Sequence, residues 1–374
     1  MKIGILYTFP QKMDFFDKYN VQTIGMAKGL INLGIEIEIY HVIPYGEEYT
    51  TKEIVFSNGS FIIHFIPTIA LRSHGLVNTK YLNKKIDSLV FFSDLQLCVP
   101  YIEKWARKNH IGFIPYIGVC SSNSMKKFWS IVSNLFMKRN YAIYKKYLCL
   151  AKTPEVLKEL SSFGVNSIQL APVGLDLNLL KADHDAYDIG ALKKESGFEQ
   201  SDHIIIFVGR LVDEKRPLDM IEIFSSIISA GLNYKLLIIG NGELANKVKK
   251  IIEEYHLKEH VKIISSIDYS DMWKVYKISD VFINLNKQEI FGMAVLEALY
   301  YGCRVIAFEA PGPSYIIENG ISGDIIKDDS EIIELLRKER NYKVAGKERV
   351  VGKFTWDQTA KIIKRVAEEI GEPM

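Results

Sequence analysis

The sequence predicts an α/β chain made of two doubly wound parallel sheets, and three observations carry that prediction. From Ser201 onward, short continuous apolar runs alternate with amphipathic segments. A looser form of the same alternation fills the first 152 residues, and a polar, weakly patterned stretch lies between the two. Length agrees, because 374 residues exceed what one hydrophobic core ordinarily organises.

Taken in order, "KIGILYTF" reads as a strand, "VQTIGMAKGLINLG" as a helix with apolar residues at helical spacing, and "IEIEIYHVI" as the next strand. Gly34 suits the end of that helix. Further strands are expected at "FIIHFIP", "SLVFFS", "IGFIPYIGV" and "YLCLAK". Lys181 to Asp202 reads as the connection. After it, "HIIIFVG", "YKLLIIG", "HVKIIS", "DVFINL" and "CRVIAF" are apolar throughout, as parallel strands covered on both faces must be. Helical segments such as "PLDMIEIFSSIISAG" and "GELANKVKKIIEEYH" follow them. The final "FTWDQTAKIIKRVAEEIG" reads as a helix opened by Thr355. Domains are expected at 1–175 and 176–352, with 353–374 as a helix packing back on the first. Parallel sheets bind ligands beyond the carboxyl ends of their strands, and two such domains facing each other imply a cleft.

Composition excludes several classes. Net charge is only +2, so nothing global calls for nucleic acid or another polyanion. The four cysteines, Cys98, Cys120, Cys149 and Cys303, show no metal-binding spacing, so no metal is expected and a reducing cytosol fits. No secretory leader is expected, since "MKIGILYTF" starts structure at once. Apolar runs such as "FIIHFIPTIAL" fall short of the ~18 to 20 residues of a membrane span.

Chemistry gathers after the strands of the second domain. In "HIIIFVGRLVDEKRP", Gly209 and Arg210 end a strand and Lys215 lies in the next loop. A planar guanidinium and an ammonium suit a diphosphate, although charged residues are also common in solvated loops. In "YKLLIIGNGEL", Gly240 and Gly242 fit either a tight turn or close approach of a ligand. No G-x-G-x-x-G follows the first strand, which counts against a dinucleotide there. "NKQEIFGMAVLEALYYG" sets Glu289 in a loop, Gly292 in the first turn of a helix and Glu297 two turns inside. Open N–H groups at that helix start favour an anion, and carboxylates accept from sugar hydroxyls. The plainer alternative makes Glu289 a capping acid and Glu297 a surface residue. Together these loops offer cations, glycines and carboxylates at one sheet edge, a set that matches a nucleotide sugar.

These residues resemble the retaining glycosyltransferases of family 4, group 1 type, which have the GT-B fold. The resemblance rests on "FVGRLVDEKRP", "LLIIGNGEL", "SDVFINLNKQEIFGMAVLEALYYGCRVIAF" and "IIENGISGDII" in the family's order, with a weaker match at "LAPVGLDLNLL". It covers about Pro172 to Lys327. It implies that Arg210 and Lys215 hold the donor diphosphate and that Glu289 binds hydroxyls of the donor sugar. N–H groups of Phe291, Gly292, Met293 and Ala294 would meet sugar or phosphate, Glu297 would accept from the ribose, and Ile267 would border the base. Gly209, Gly240 and Gly242 would line the donor. It further implies metal-independent transfer with retention from a UDP- or GDP-sugar, with no cofactor besides that co-substrate. The acceptor would be a sugar, glycolipid or other glycoconjugate, in bacterial cell-surface polysaccharide or glycoconjugate synthesis.

Two departures stand in the first domain. Family members often carry Gly-Gly after the first strand, where this chain reads "FPQKMDFFDKYN". They also often carry a histidine where Gly118 stands here, and His110 is too early to replace it. The alternatives are therefore a non-catalytic partner of the same fold or another GT-B enzyme such as a nucleotide-sugar epimerase. Lys104 to Lys152 holds ten Lys or Arg and no acid. Within it, 125–148 suggests either peripheral contact with the inner face of a membrane or a helix with a solvated basic face. No nucleic-acid recognition module accompanies that charge.

Overall fold

The first of two units comprises Met1–Gly174 together with Thr355–Met374, and the second Leu175–Phe354. The computed structural model describes residues 1–12, 21–71, 74–120, 137–177, 180 and 187–371. In the first unit the strands are β1 (Lys2–Tyr7), β2 (Glu36–Pro44), β3 (Thr50–Phe56), β4 (Gly59–Thr68), β5 (Ala70–Leu71), β6 (His74–Gly75), β7 (Ser88–Phe92), β8 (Gly112–Ile117), β9 (Cys149–Ala151) and β10 (Ile168–Leu170). Eight of them form one sheet in the order β10-β9-β8-β7-β1-β2-β4-β3, while β5 and β6 pair separately.

Every ladder in the large sheet is parallel except β3 on β4. That antiparallel pairing adds one edge strand to a sheet that is otherwise parallel, as expected. Its cause is local: Phe56 faces Gly59 across a two-residue turn, and a short Asn/Gly-containing turn folds a chain directly back on itself. Strand β3 lies at the edge and is largely exposed, so it lacks the continuous apolar run that marks its neighbours. Helices α1 (Gln22–Ile31), α2 (Val99–Lys108) and α3 (Pro154–Ser162) accompany these strands. One core includes Tyr40, Phe91, Trp105, Phe113, Met137, Tyr141 and Tyr144.

The second unit holds β11 (His203–Val208), β12 (Tyr234–Ile239), β13 (Val261–Ile264), β14 (Val281–Asn284), β15 (Arg304–Phe308) and β16 (Asp324–Ile326). They are parallel throughout, in the order β13-β12-β11-β14-β15-β16. Ile204, Ile205 and Ile206 of β11 are fully buried, which explains why three consecutive isoleucines stand there; burying each contributes roughly 1.5–3 kcal/mol. Around the sheet run α4 (Ile189–Glu195), α5 (Pro217–Ser229), α6 (Ala245–Glu254), α7 (Met272–Lys277), α8 (Met293–Tyr301), α9 (Pro311–Ile316), α10 (Glu331–Arg337) and α11 (Lys343–Lys353).

Helix α4 corrects the reading of 181–202 as connection alone. Asp188 caps it, accepting from the N–H groups of Gly190 and Ala191 at 2.8 and 3.3 Å, and such a cap sustains a short helix among few apolar residues. The edge strand β16 was also not anticipated.

The chain then re-enters the first unit as α12 (Trp356–Gly371). Thr355 Oγ1 accepts from Gln358 N–H at 3.3 Å and so caps it. Asn32 donates to Asp357 at 2.9 Å, and Thr359 donates to the Pro172 carbonyl at 2.6 Å. Helix α1 receives it closely: a Cβ on Gly25 would lie 2.1 Å from Trp356 Nε1.

Among the described residues no helix is long and apolar enough to cross a membrane. The interfacial reading of 125–148 falls in part, at 125–136, outside the described residues. In the remainder, Met137, Tyr141 and Tyr144 are buried in the first core. Those side chains pack inward, which removes them from any membrane-facing surface.

Candidate functional site

In a parallel sheet every strand delivers its following loop to the same edge. The loops after β11, β12, β13 and β14 therefore share the carboxyl edge of the second sheet, and all twelve residues singled out from the sequence lie on them or on α8.

The centre is an ion pair. Lys215, in a single turn of 3-10 helix after β11, donates from Nζ to Glu289 Oε2 at 2.6 Å, with side chains 22% and 16% exposed. The same carboxylate oxygen lies 3.4 Å from Asn284 Nδ2 and 3.3 Å from Asn286 Nδ2. Asn286 is only 1% exposed and its amide also reaches Glu214 Oε1 at 3.3 Å. Four hydrogen bonds among five side chains therefore tie the loop after β11 to the end of β14 and the loop that follows it. The backbone holds it too, since Gly312 N–H donates to the Glu289 carbonyl at 2.9 Å.

Arg210 stands apart. It follows Gly209 at the end of β11, is exposed, and among the described residues makes no side-chain hydrogen bond or ion pair. An unengaged guanidinium at a strand end remains available to an external anion.

Gly240 and Gly242 have an internal explanation. A Cβ on Gly240 would stand 1.9 Å from the Gly209 carbonyl oxygen, and one on Gly242 would stand 2.5 Å from that of Leu211. The loops after β11 and β12 also exchange backbone hydrogen bonds, Leu211 N–H to Asn241 O at 2.9 Å and Leu244 N–H to Leu211 O at 3.0 Å. These glycines let two loops close on each other and so shape the floor of the edge.

Helix α8 starts at Met293, two residues later than the sequence suggested, so Gly292 lies just before its first turn. Gly292 is its N-cap, at φ +98°, without a side-chain cap, and no acid lies in the first turn. That left-handed conformation suits glycine and turns the chain sharply from the buried Phe291 into the helix. The first N–H groups, at Met293 and Ala294, have no intrahelical acceptor and point along the helix's positive end.

Glu297 differs from Glu289 in every respect. It is 7% exposed, and it accepts from Tyr276 Oη at 2.9 Å and Tyr269 Oη at 3.1 Å. Burial pushes its carboxyl up to about 7, while the two tyrosine hydrogen bonds pull it down. The surface alternative for this residue is thereby corrected: it is an interior acid held by two phenols. Ile267, in the loop after β13, is half-buried.

Several participants were not anticipated. Asn284 and Asn286 had a readable signal, being amides that interrupt an apolar run at a strand end. Tyr269 and Tyr276 had none, because helical tyrosines usually pack in cores. Arg216, next to Lys215 in "DEKR", adopts φ +55°, binds Asp329 through two contacts at 3.1 and 2.6 Å and pairs with Asp219. It anchors the start of α5 behind Lys215. Among the described residues no three His, Cys, Asp or Glu cluster as metal ligands would.

Fold and edge together define a protein of two Rossmann-like units, the second gathering cations, carboxylates and open backbone N–H groups at one sheet edge. Solved structures share that fold over nearly the whole chain. Sucrose-phosphate synthase from Thermosynechococcus elongatus superposes with a TM-score of 0.71 at 14% identity, covering 99% of this chain and 98% of that one. An Anabaena protein crystallised with UDP and glucose gives 0.70 at 12%, covering 99% and 100%. Both have the GT-B fold.

Residues 188–345, within the second unit, match the family described as glycosyl transferases group 1, which marks that part of the chain as a group 1 glycosyltransferase domain. Among curated relatives, N-acetyl-alpha-D-glucosaminyl L-malate synthase of Bacillus anthracis is 24% identical over 184 residues, 48% of each chain. Alpha-monoglucosyldiacylglycerol synthase of Acholeplasma laidlawii is 24% identical over 179 residues, 47% of this chain and 45% of the relative. The chain thus spans about half the length of these relatives. An uncharacterized glycosyltransferase of Methanocaldococcus jannaschii matches more widely, 22% identical over 366 residues and 90% of each.

Proposed function

We propose that this protein transfers a sugar from a nucleoside diphosphate sugar, a UDP- or GDP-sugar, to an acceptor hydroxyl with retention of anomeric configuration. The observation that carries the reading is the Lys215–Glu289 pair at 2.6 Å, set beside the uncapped start of α8. One cation, one carboxylate and a row of backbone donors lie at one sheet edge, and a sugar diphosphate needs all three.

Lys215 and the free guanidinium of Arg210 neutralise the diphosphate as the glycosidic C–O bond breaks and the nucleotide leaves with the bonding pair. Charge that grows on the departing oxygen is met by cations already in place, the largest single source of rate enhancement in such sites. These cations supply the neutralisation that a metal gives in other enzymes. Glu289 accepts from hydroxyls of the donor sugar. Because Asn284 and Asn286 hold its other contacts, its carboxylate keeps a fixed direction when Lys215 turns to the phosphate. The N–H groups of Phe291 to Ala294 meet sugar or phosphate oxygens. Glu297 accepts from the ribose, Ile267 borders the base, and Gly209, Gly240 and Gly242 shape the floor. The acceptor is a sugar, a glycolipid or another glycoconjugate, and the enzyme works in the cytoplasm.

The test is a panel of UDP-, GDP-, ADP- and dTDP-sugars, read by thermal stabilisation and by slow hydrolysis of the donor. One nucleotide sugar should raise the melting temperature and be hydrolysed, and Glu289→Ala and Lys215→Ala should slow the hydrolysis by about 10²–10³. No response to any donor overturns the proposal.

A further inference from the structure

The first sheet also has a carboxyl edge, and a buried cation stands at it. Lys152 follows β9 and is 8% exposed. Its ammonium lies 5.0 Å from the Phe92 ring centroid and 4.9 Å from that of Tyr116. The nearest carboxylate oxygen, Asp94 Oδ2, is 4.0 Å away, beyond hydrogen-bond reach. Among the described residues the three N–H donors of this ammonium have no hydrogen-bond acceptor. An ammonium offers three donors, and with its stem buried and no protein acceptor on its head among the described residues, Lys152 presents those donors to whatever enters the edge.

Asp94 is built to face it. The residue adopts φ +23°, unusual for a residue with a side chain. Its Oδ1 is occupied, accepting from the N–H groups of Gly118 at 2.6 Å and Val119 at 3.2 Å. That leaves Oδ2 toward Lys152, with the carboxylate partly exposed. Gly118 completes the arrangement, because a Cβ there would meet Lys152 Cδ at 2.6 Å. The glycine that stands where relatives often have histidine is the space through which Lys152 reaches the edge.

We propose that Lys152 and Asp94 bind one hydroxyl of a neutral sugar or polyol, the acceptor class of this enzyme. A hydroxyl both accepts and donates, so its oxygen takes an N–H from Lys152 at about 2.8 Å and gives its proton to Asp94 Oδ2 at about 2.7 Å. Two such bonds close comfortably over the 4.0 Å gap. An anionic group fits worse, since it has no proton to give and would face the Asp94 carboxylate. The site deepens the transferase reading by naming the acceptor's chemistry, but its binding test does not depend on that reading.

The experiment titrates the full-length protein by calorimetry with methyl α-D-glucopyranoside and myo-inositol, and in parallel with inorganic phosphate, to about 50 mM, a range that detects weak sugar sites. Lys152→Met and Asp94→Asn are titrated alongside, after thermal melts establish that each is folded. If one variant fails to fold, the other decides. Saturable binding of a neutral polyol, weakened about tenfold or more by the folded variants, is expected from the loss of one charge-assisted hydrogen bond. Phosphate binding in place of the polyols overturns the proposal. So does the absence of saturable binding, or affinity unchanged in the variants. UDP is titrated separately: failure of every nucleotide would sink the transferase reading and leave the polyol result standing.

Discussion

The two sheets place a lysine at the same kind of edge and treat it in opposite ways. In the second unit Lys215 is hydrogen-bonded to Glu289, which Asn284 and Asn286 also hold. In the first, Lys152 rests on two aromatic rings and stops 4.0 Å short of its carboxylate. A closed network gives rigidity and must be opened by the ligand that uses it. An open pair is a vacancy in hydrogen bonding that a ligand can complete. The difference teaches that an edge position alone does not define a role; the state of its hydrogen bonds does.

Opening the closed Lys215–Glu289 pair should have the largest effect. Glu289→Ala should lower kcat for donor hydrolysis or transfer by about 10²–10³, the range seen when one preorganised electrostatic partner is lost. Glu289→Gln should lose less, because the amide still accepts from Asn286 and from sugar hydroxyls. Equal loss in both variants, measured as kcat in single-turnover assays, would remove hydrogen-bond acceptance as the role of Glu289.

The next effect is on stability. Gly240→Ala places a methyl 1.9 Å from the Gly209 carbonyl oxygen and forces two loops apart, so it should destabilise by about 2–3 kcal/mol in a denaturant titration. In the other unit, Gly25→Ala meets the Trp356 ring at 2.1 Å and should cost about as much, loosening α12. Hydrogen exchange can separate the two: the first change should expose β11 and β12 amides, the second those of α1 and α12.

A smaller effect follows from Glu297. Its carboxyl is raised to about 7, chiefly by burial, so the folded state holds a proton that the unfolded chain releases near the ordinary 4.5. The stability from this group is fully present below about 4.5 and is lost as pH rises through about 7. Melting temperature should therefore fall between pH 5 and pH 8 more steeply in the native protein than in Glu297→Gln. Nucleotide affinity should run the other way, rising through about pH 7, because the ionised carboxylate is the better acceptor for ribose hydroxyls.

Much of the second sheet could be read from residues 203–308, since strands covered on both faces must be apolar at every position. Lys215 and Glu289 were also legible, as charges placed at the ends of such strands. Asn286 was less so: its role depends on a side-chain geometry that brings it to Glu214, 72 positions away. Strand β3 escaped because an exposed edge strand has no core to impose a pattern on it. Lys152 escaped for another reason. In the sequence it is the last cation of a basic stretch, and only folding shows that two rings and a glycine have drawn it inside.

The return of α12 to the first unit has a consequence for the order in which the protein becomes complete. Leu175 N–H meets the Phe354 carbonyl at 2.8 Å, so the second unit begins and ends at one point, like a parenthesis within the first. As the chain leaves the ribosome, α1 must wait through about 325 further residues, the whole second unit among them, before Trp356 arrives to cover Gly25 and Gly29. During that interval the second unit, whose strands are consecutive, can finish first. Joining Gly174 directly to Thr355 by a short linker would remove the wait and release the first unit as a continuous chain.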